Sequence, residues 1–589
     1  MSQQQMINLT IDGVPVTVPK GTTIMQAAEQ KLGVKIPRLC HHPKLSIQGS
    51  CRVCVVEVKG VPFYMASCSV QVWEGMEIQT NSPAIRQARR DILELLLDNH
   101  PRACLTCVRD GNCELQNLAY TLGVRERLFD GERKRFPIEK SSVSIVRDAE
   151  KCILCGRCVR VCAEVQGVHN LSQQGRGFTT HVAPAHGDKM DDSVCIQCGQ
   201  CINACPTAAF VGHSDSDRVW KALGDPTKHV VVQTAPAIRA TVGEGFGMAP
   251  GTPATGKLVT ALRRLGFDRV FDTNFTADLT IIEEATEFLN RFKNNDRLPL
   301  LTSCSPGWVN FMERFYPELI PNASSCRSPM SMMSSLIKSY YAKKEGIDPK
   351  DVFVVAIMPC TAKKFEAQRP EFATPDGGQE TDASLTTREL IFMIKSYGID
   401  LAELEDGEFD SPLGASSGAA DIFGTTGGVL EAALRMAAEV INGEPPAQME
   451  FVEVRAVEGL RVRELKVNND LTLRVGVSNG LQNAKKLLDK VVSGEEVFHI
   501  IEVMACPGGC IGGGGQPYPP RGYTILDPKL LAKRAKALYT IDLNKDVRSS
   551  NHNPAIKALY DEFLGEPGGE TAHRLLHTHY QPRLPRGIR

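Results

Sequence analysis

Cys152-Ile153-Leu154-Cys155-Gly156-Arg157-Cys158-Val159-Arg160-Val161-Cys162 sets four thiols at C-x2-C-x2-C-x3-C spacing. Cys195-Ile196-Gln197-Cys198-Gly199-Gln200-Cys201-Ile202-Asn203-Ala204-Cys205, followed by Pro206, repeats that spacing. Three thiolates so close in sequence wrap one face of a 4Fe–4S cubane, and in paired runs the fourth reaches the other cluster. Cys152, Cys155, Cys158 and Cys205 are therefore expected on one cubane. Cys195, Cys198, Cys201 and Cys162 are expected on the second.

Moving toward the N-terminus, His100, Cys104, Cys107 and Cys113 form a further group. Ser82-Pro83 is an N-cap and first-turn pair. The stripe Ile85, Ala88, Ile92, Leu95 and Leu96 predicts a helix that stops before Pro101, so His100 stands where a helix gives way to a cysteine loop. That spacing suits zinc as well as iron; beside the paired run it reads as a His-ligated 4Fe–4S cluster. Earlier still, Ile7–Val18 alternates about Asp12-Gly13, a hairpin turn pair, and a helical stretch Thr22–Leu32 follows. Cys40, Cys51, Cys54 and Cys68 come next. Strand, turn, strand, helix and four cysteines read as a plant-type 2Fe–2S module, although ten residues between Cys40 and Cys51 depart from the plant spacing and a zinc site also uses four thiolates.

The chain has 589 residues, 67 Lys+Arg against 68 Asp+Glu and a net charge of −1. That balance argues against a nucleic-acid binder. Met1–Gln5 is polar with no apolar core after it, and no run of 18 apolar residues occurs, so neither a secretory leader nor a membrane span is expected. Twenty cysteines in such a chain point to metal ligation in a reducing, cytoplasmic setting. Fifteen of them precede residue 206. Clusters in series read as a wire for single electrons.

The remainder must hold chemistry or dock a partner. Gly245, Gly247 and Gly251 do not follow a strand in G-x-G-x-x-G register, and Gly512–Gly515 follows a cysteine motif. With no Walker loop either, no NAD, flavin or ATP site is expected in this chain. The last five cysteines are Cys304, Cys326, Cys360, Cys506 and Cys510, four of them set among Gly and Pro, which suggests one more cluster built from distant loops.

Thr302-Ser303-Cys304-Ser305-Pro306-Gly307-Trp308, Met358-Pro359-Cys360-Thr361-Ala362-Lys363-Lys364 and Glu502-Val503-Met504-Ala505-Cys506-Pro507-Gly508-Gly509-Cys510 resemble the three signature motifs of FeFe hydrogenases, TSCCPxW, MPCxxK and ExxxxCxxGC. The resemblance covers nearly the whole chain, including Glu562–Pro567 and Leu575–Tyr580 in the tail. It implies an H-cluster, a 4Fe–4S cubane sharing one thiolate with a diiron unit that carries CO, cyanide and an azadithiolate, together with three further 4Fe–4S clusters and one 2Fe–2S cluster. It implies reversible heterolysis of H2 to protons and electrons.

Carried over position by position, Cys510 resembles the bridging thiolate, and Cys360 and Cys506 further cubane ligands. Lys363 resembles the lysine bonded to cyanide. Pro236 and Ala237 resemble the loop lining the diiron pocket, with Ser328, Met358, Phe423 and Met504 as further pocket residues; plain core packing is the alternative for the two methionines. Asp278 is expected to cap a helix over Ile281–Phe292, on which Glu284, Glu287 and Arg291 share a face. A solvated charged face is the bland reading; the resemblance makes them, with Ser324, a proton path. The first motif departs from the family, with Cys304-Ser305 where two adjacent cysteines are usual. Ungapped, Cys304 takes the proton relay and Ser305 the ligand position; cubane chemistry asks for a thiolate, which would assign Cys304 as ligand. The sequence leaves this open.

The expected fold is multidomain, α+β and α/β: a β-grasp 2Fe–2S module (1–81), a His- and Cys-ligated module (82–143), a two-cluster ferredoxin module (144–217) and an α/β catalytic domain with parallel sheets (218–589). The expected partners are soluble ferredoxin, or flavoprotein subunits that bind NAD(P) and bifurcate electrons. The front also resembles the G-subunit of respiratory NADH dehydrogenases, and assembly or sensory iron–sulfur proteins share the back half; Lys363 and the Glu284/Glu287 pair favour the hydrogenase reading.

Overall fold

A computed structural model of the chain describes residues 5–126, 129, 131–444, 449–456, 459–468 and 471–583. The polar start Met1–Gln5 thus lies outside it apart from Gln5.

Met6–Ile11 and Val14–Pro19 pair antiparallel about Asp12 and Gly13, whose φ values are 50° and 81°. Positive φ at both central residues is what a tight right-twisted hairpin requires. Period-two alternation turns Ile7, Leu9, Ile11, Val16 and Val18 inward. The sheet continues through Glu77–Gln79 and Val55–Val58 to Met65–Ala66. Helix Ile24–Leu32 starts on a Thr23/Gln26 capping box and ends on left-handed Gly33.

Helix Pro83–Asp98 begins as its sequence suggests, with Ser82 Oγ accepting from Ile85 N at 3.1 Å. Its buried face differs from the expected stripe: Ile85 and Leu93 are buried, whereas Leu95 is 59% exposed. Arg89 sets this rotation by turning inward to donate to Val55 O at 2.8 Å. In the next module Ile145–Arg147 and Phe210–Gly212 pair antiparallel around the two cysteine loops. Gly156 and Gly199, both left-handed, precede the matching short helices Arg157–Arg160 and Gln200–Ala204.

The back of the chain builds two sheets. The first is wholly parallel, in the order Arg269–Asp272, His229–Thr234, Val352–Met358, Ala383–Thr386. The second runs Leu300–Leu301, Ile500–Met504, Thr472–Asn479, Leu460–Lys466, and its antiparallel edge strand makes it mixed where parallel sheets were expected. The strands buried on both faces are the near-continuous apolar ones, as parallel sheets demand.

Helix Thr273–Asn294 corrects the expected boundary. Its cap is Asp272, at the end of a strand, and Asp278 is interior. Asp278 is buried and accepts from Ser417 N (2.7 Å), Ser417 Oγ (2.5 Å), Ser550 Oγ (2.8 Å) and Asn553 Nδ2 (2.9 Å). A buried carboxylate satisfied by four donors is a tertiary anchor, not a local cap.

Candidate functional site

The two-cluster loops place their thiols crosswise. Cys205 exerts its charge on Cys152, Cys155 and Cys158, and Cys162 does so on Cys195 and Cys201. Burial pushes Cys152 up to about 11 and Cys155 and Cys195 up to about 12. Thiols gathered this tightly in apolar surroundings are poor thiolates unless a cationic metal core compensates them. No two of the twenty cysteines form a disulfide. Backbone N–H groups of Leu154 and Gln197 donate to Cys152 Sγ and Cys195 Sγ at 3.4 Å, a contact that suits a ligating sulfur.

His100 fits a metal ligand. Its Nδ1 meets Pro101 O at 2.9 Å, while its buried Nε2 has no partner. Burial pulls its pKa down, favouring the neutral ring that metals need. Cys104 is exposed and Cys107 and Cys113 are half-buried, and Cys113 Sγ lies 3.7 Å from Pro206 O in the two-cluster module. Cys40, Cys51, Cys54 and Cys68 are all buried, with Cys40 driven strongly down and Cys51 and Cys68 strongly up by the hydrogen bonds they share.

These modules converge on one place. Cys40, Cys51, Cys113 and Cys155 pack around a single apolar cluster with Leu39, Val53, Leu93 and Leu115. Arg160 Nη2 donates to Cys40 O at 2.7 Å and to Cys155 O at 3.2 Å, tying the first module to the third. Arg157 pairs with Glu114 at 2.6 Å and donates to His41 O at 3.1 Å, tying in the second.

In the catalytic part, the motif loops leave the carboxyl ends of parallel strands, where open α/β sheets present their sites. Thr234 leads to Pro236-Ala237, Met358 to Cys360, Leu301 to Cys304 and Met504 to Cys506. Lys363 spans the two sheets: its Nζ donates to Ser328 Oγ at 2.6 Å and Cys304 O at 3.3 Å, and pairs with Glu366 at 2.7 Å. Glu366 also accepts from Ser331 Oγ at 2.6 Å and from Ser328 Oγ. Burial first, then the charge of Cys360, raises the pKa of Cys506 and of Cys510, with Cys510 also acting on Cys506, and Cys510 reaches about 12. Phe423 and Met504 pack with Cys304 and Cys326 in one cluster, and Ala237 with Cys510 in another. Pro236 is buried beside Ala237, whose turn is anchored by Arg239 through Asp272 (2.7 Å) and Asp421 (3.0 Å). Met358 belongs to a third cluster, with Val232 and Ile238.

The charged face gathers as its spacing implies. Arg291 pairs with Glu287 at 2.5 Å and donates to Ala323 O at 2.9 Å. Ser324 Oγ donates to Glu287 at 2.9 Å. Glu284 is buried, and desolvation first, then the charge of Glu287, push it up to about 8, with Ser324 and the Ser303 backbone pulling the other way. Glu284 is in turn the charge that bears most on Cys304. The bland solvated reading fails for Glu284 and Arg291, both under a tenth exposed.

Several residues escaped the sequence reading. Glu502 is buried and accepts from Gly427 N at 2.6 Å and Leu430 N at 2.8 Å, capping helix Gly428–Asn442, whose glycine N-cap has no side chain to do so. His577 links Ser325 Oγ (2.9 Å) to Glu283 (3.0 Å), and lies with Cys326 and Glu287 in one tight group. Gly512–Gly515 serves close approach: a Cβ on Gly514 would stand 2.8 Å from Gly199 Cα. This seats Cys198 beside Cys506, whose charge is the largest acting on it.

Five family models match the chain: 2Fe-2S iron-sulfur cluster binding domain (4–83), NADH-ubiquinone oxidoreductase-G iron-sulfur binding region (89–127), 4Fe-4S dicluster domain (151–209), iron only hydrogenase large subunit, C-terminal domain (228–514), and iron hydrogenase small subunit (528–583). The chain is 49% identical to NADP-reducing hydrogenase subunit HndD of Solidesulfovibrio fructosivorans, over 98% of this chain and 99% of the relative. It is 42% identical to iron hydrogenase 1 of Clostridium pasteurianum, over 98% and 100%. A solved variant of the FeFe hydrogenase HydA1 from Chlamydomonas reinhardtii superposes with a TM-score of 0.55 at 44% identity, covering 62% of this chain and 98% of that one.

Proposed function

The chain belongs to the FeFe hydrogenases as a catalytic subunit, with 2Fe–2S and 4Fe–4S domains ahead of its H-cluster domain, and from this we propose that it couples H2 to NAD(P)-linked flavoprotein subunits through an iron–sulfur wire. The observation that carries the reading is the meeting of Cys360, Cys506 and Cys510 beside the Lys363 ammonium, with Cys198 next to Cys506. The donor set suits an H-cluster: thiolates for iron, and a cation held by Glu366 and Ser328 for anionic diatomic ligands. Bound there, the H-cluster supplies the open iron at which H2 is cleaved.

This chain's residues do the rest. Lys363 is fixed by three acceptors, the Cys304 carbonyl, the Ser328 hydroxyl and the Glu366 carboxylate. Ala237, Phe423 and Met504 keep water from the pocket, Pro236 holds its loop, and Met358 supports the sheet beneath. Protons pass between Cys304 and the surface by Glu284, Ser324, Glu287 and Arg291; a carboxyl near pKa 8 both accepts and releases protons at physiological pH. Electrons enter or leave through three further 4Fe–4S clusters and one 2Fe–2S cluster, over the four units 1–81, 82–143, 144–217 and 218–589. Convergence of the first two modules on Cys155 supports two entries to one wire. Leu105 is 96% exposed and Val108 74% exposed beside Cys104 and Cys107, a surface on which a partner docks.

The relative named as an NADP-reducing hydrogenase subunit supports NADP as terminal acceptor, reached in a separate subunit because this chain lacks a dinucleotide fingerprint. Among the described residues no helix is long and apolar enough to cross a membrane, which agrees with a cytoplasmic complex. The test is infrared spectroscopy on anaerobically matured chain with H2-uptake assays. Bands of CO and cyanide, dye reduction by the chain alone, and NADP reduction only when flavoprotein subunits are added are expected. NADP reduction by the single chain overturns the separate-subunit reading.

A further inference from the structure

Ser305 is the N-cap of helix Pro306–Phe315, with extended backbone at φ −99° and ψ 106°. A serine there normally turns its hydroxyl back to a helix N–H. Thr23, Ser82, Ser328 and Thr386 all do this in the same chain. Ser305 does not: its carbonyl accepts from Trp308 N and Val309 N at 3.0 Å, and its hydroxyl makes no hydrogen bond. Two residues on, a Cβ on Gly307 would meet Ala505 Cβ at 3.2 Å and Cys198 Cβ at 3.7 Å. The turn Ser305–Gly307 is therefore pressed against the Cys506 loop and against a ligand of the neighbouring two-cluster module.

Cys304 lines the pocket between the proton path and the bridging position. It packs against the cluster of Phe423, Met504 and Cys326, and the charges that bear most on it are Glu284 and then Cys510, not Cys506. Its carbonyl, not its thiol, receives Lys363. Ser305 has extended backbone, in which successive side chains turn to opposite sides, so a Cys304 thiol on the Glu284 and Cys510 side leaves the Ser305 hydroxyl toward the Cys506 side.

We propose that the catalytic cubane is held by Cys360, Cys506, Cys510 and the oxygen of Ser305, leaving the Cys304 thiol free as the inner end of the proton path. The inference rests on the hydrogenase reading and refines its site. On assembly the Ser305 O–H bond breaks, its proton goes to water, and an iron–oxygen bond forms; no oxidation state changes. An alkoxide is a harder donor than a thiolate and favours the more oxidised iron, so this cubane reduces at lower potential than one with a fourth thiolate.

The experiment compares full-length, anaerobically prepared wild type with Ser305→Ala, Ser305→Cys and Cys304→Ala. Iron content, electron paramagnetic resonance with redox titration, and infrared spectra after maturation are read for each. Ser305→Ala is expected to lose iron from the catalytic cubane, with a three-iron signal on oxidation, while the front-cluster signals persist and report an intact fold. Ser305→Cys keeps the cubane and raises its potential. Cys304→Ala keeps the cubane and its infrared bands but slows H2 turnover about 100-fold, the scale of a lost proton relay. Loss of the cubane in Cys304→Ala with retention in Ser305→Ala assigns the ligand to Cys304 and overturns the proposal. Retention of a four-iron cubane in both overturns it too. Wild type that holds the cubane but never shows CO or cyanide bands defeats the hydrogenase reading instead, leaving the ligand comparison to be read by itself.

Discussion

The first 210 residues and the last 370 or so solve the same problem, holding iron by thiolates, in opposite ways. In the front, each ligand group falls within a short stretch, with only two or three residues between neighbours in the paired runs, on loops stabilised by their own glycines and turns. In the back, Cys360, Cys506 and Cys510 sit on loops that follow strands of two separate sheets. A local site survives changes elsewhere, whereas a site built from distant loops depends on every contact between the sheets. That dependence is what lets the catalytic site place an ammonium, thiols and a proton path on different elements.

The sharpest test of this contrast is Cys510→Ala. Hydrogen turnover is expected to fall below detection with loss of catalytic-site iron, while the front clusters stay spectroscopically unchanged. Loss of the front clusters as well would show that the two regions do not assemble independently. Glu284→Gln comes next: turnover falls about 100-fold with all clusters retained. Glu284 also carries a pH signature. Its carboxyl is raised from 4.5 to about 8, so the folded state holds a proton that the unfolded chain has released between these values. Its contribution to stability is full below 4.5 and is lost as pH rises toward 8, on the order of 3–5 kcal/mol at about 1.4 kcal/mol per unit. The melting temperature of Glu284→Gln should therefore fall less than that of wild type between pH 5 and pH 8.

Gly514→Ala probes the seam between the regions. Its Cβ meets backbone of the Cys198–Gly199 loop, so the loops must part at a cost of about 1–3 kcal/mol. A lower melting temperature and several-fold slower electron delivery from the front are expected, with the infrared bands unchanged. The smallest effect is assigned to His100→Ala. Loss of that module's cluster should slow reduction of the physiological partner severalfold, while H2 uptake with a small dye stays near wild type, because the Cys40 module still reaches Cys155. Equal loss with both acceptors would make the wire unbranched.

Much of the architecture was readable in advance where the signal is local. The Asp12-Gly13 hairpin and the Ser82-Pro83 helix start depend on neighbouring residues, and both are present. The failures are positions whose partner is far along the chain. Asp278 looked like a cap because Asp commonly is one, yet its donors are Ser417, Ser550 and Asn553. Leu95 fitted an apolar stripe until Arg89 rotated the helix toward Val55. Glu502 stands in a recognisable motif, but its task as a cap for residues 427–430 has no sequence signal.

By itself the sequence determined which residues bear the chemistry, because the thiols, the lysine and the carboxylate pair stand in short motifs whose spacing reflects local geometry. It also determined family membership, through motifs running from the first module to the tail. Only the tertiary structure decided which of these groups meet: that Cys198 abuts Cys506 across a run of glycines, that Glu284 is buried deeply enough to hold its proton, and that the Ser305 hydroxyl leaves its own helix uncapped. Burial and close approach are properties of packed surfaces, and no pattern along one chain segment contains the surface that will cover it.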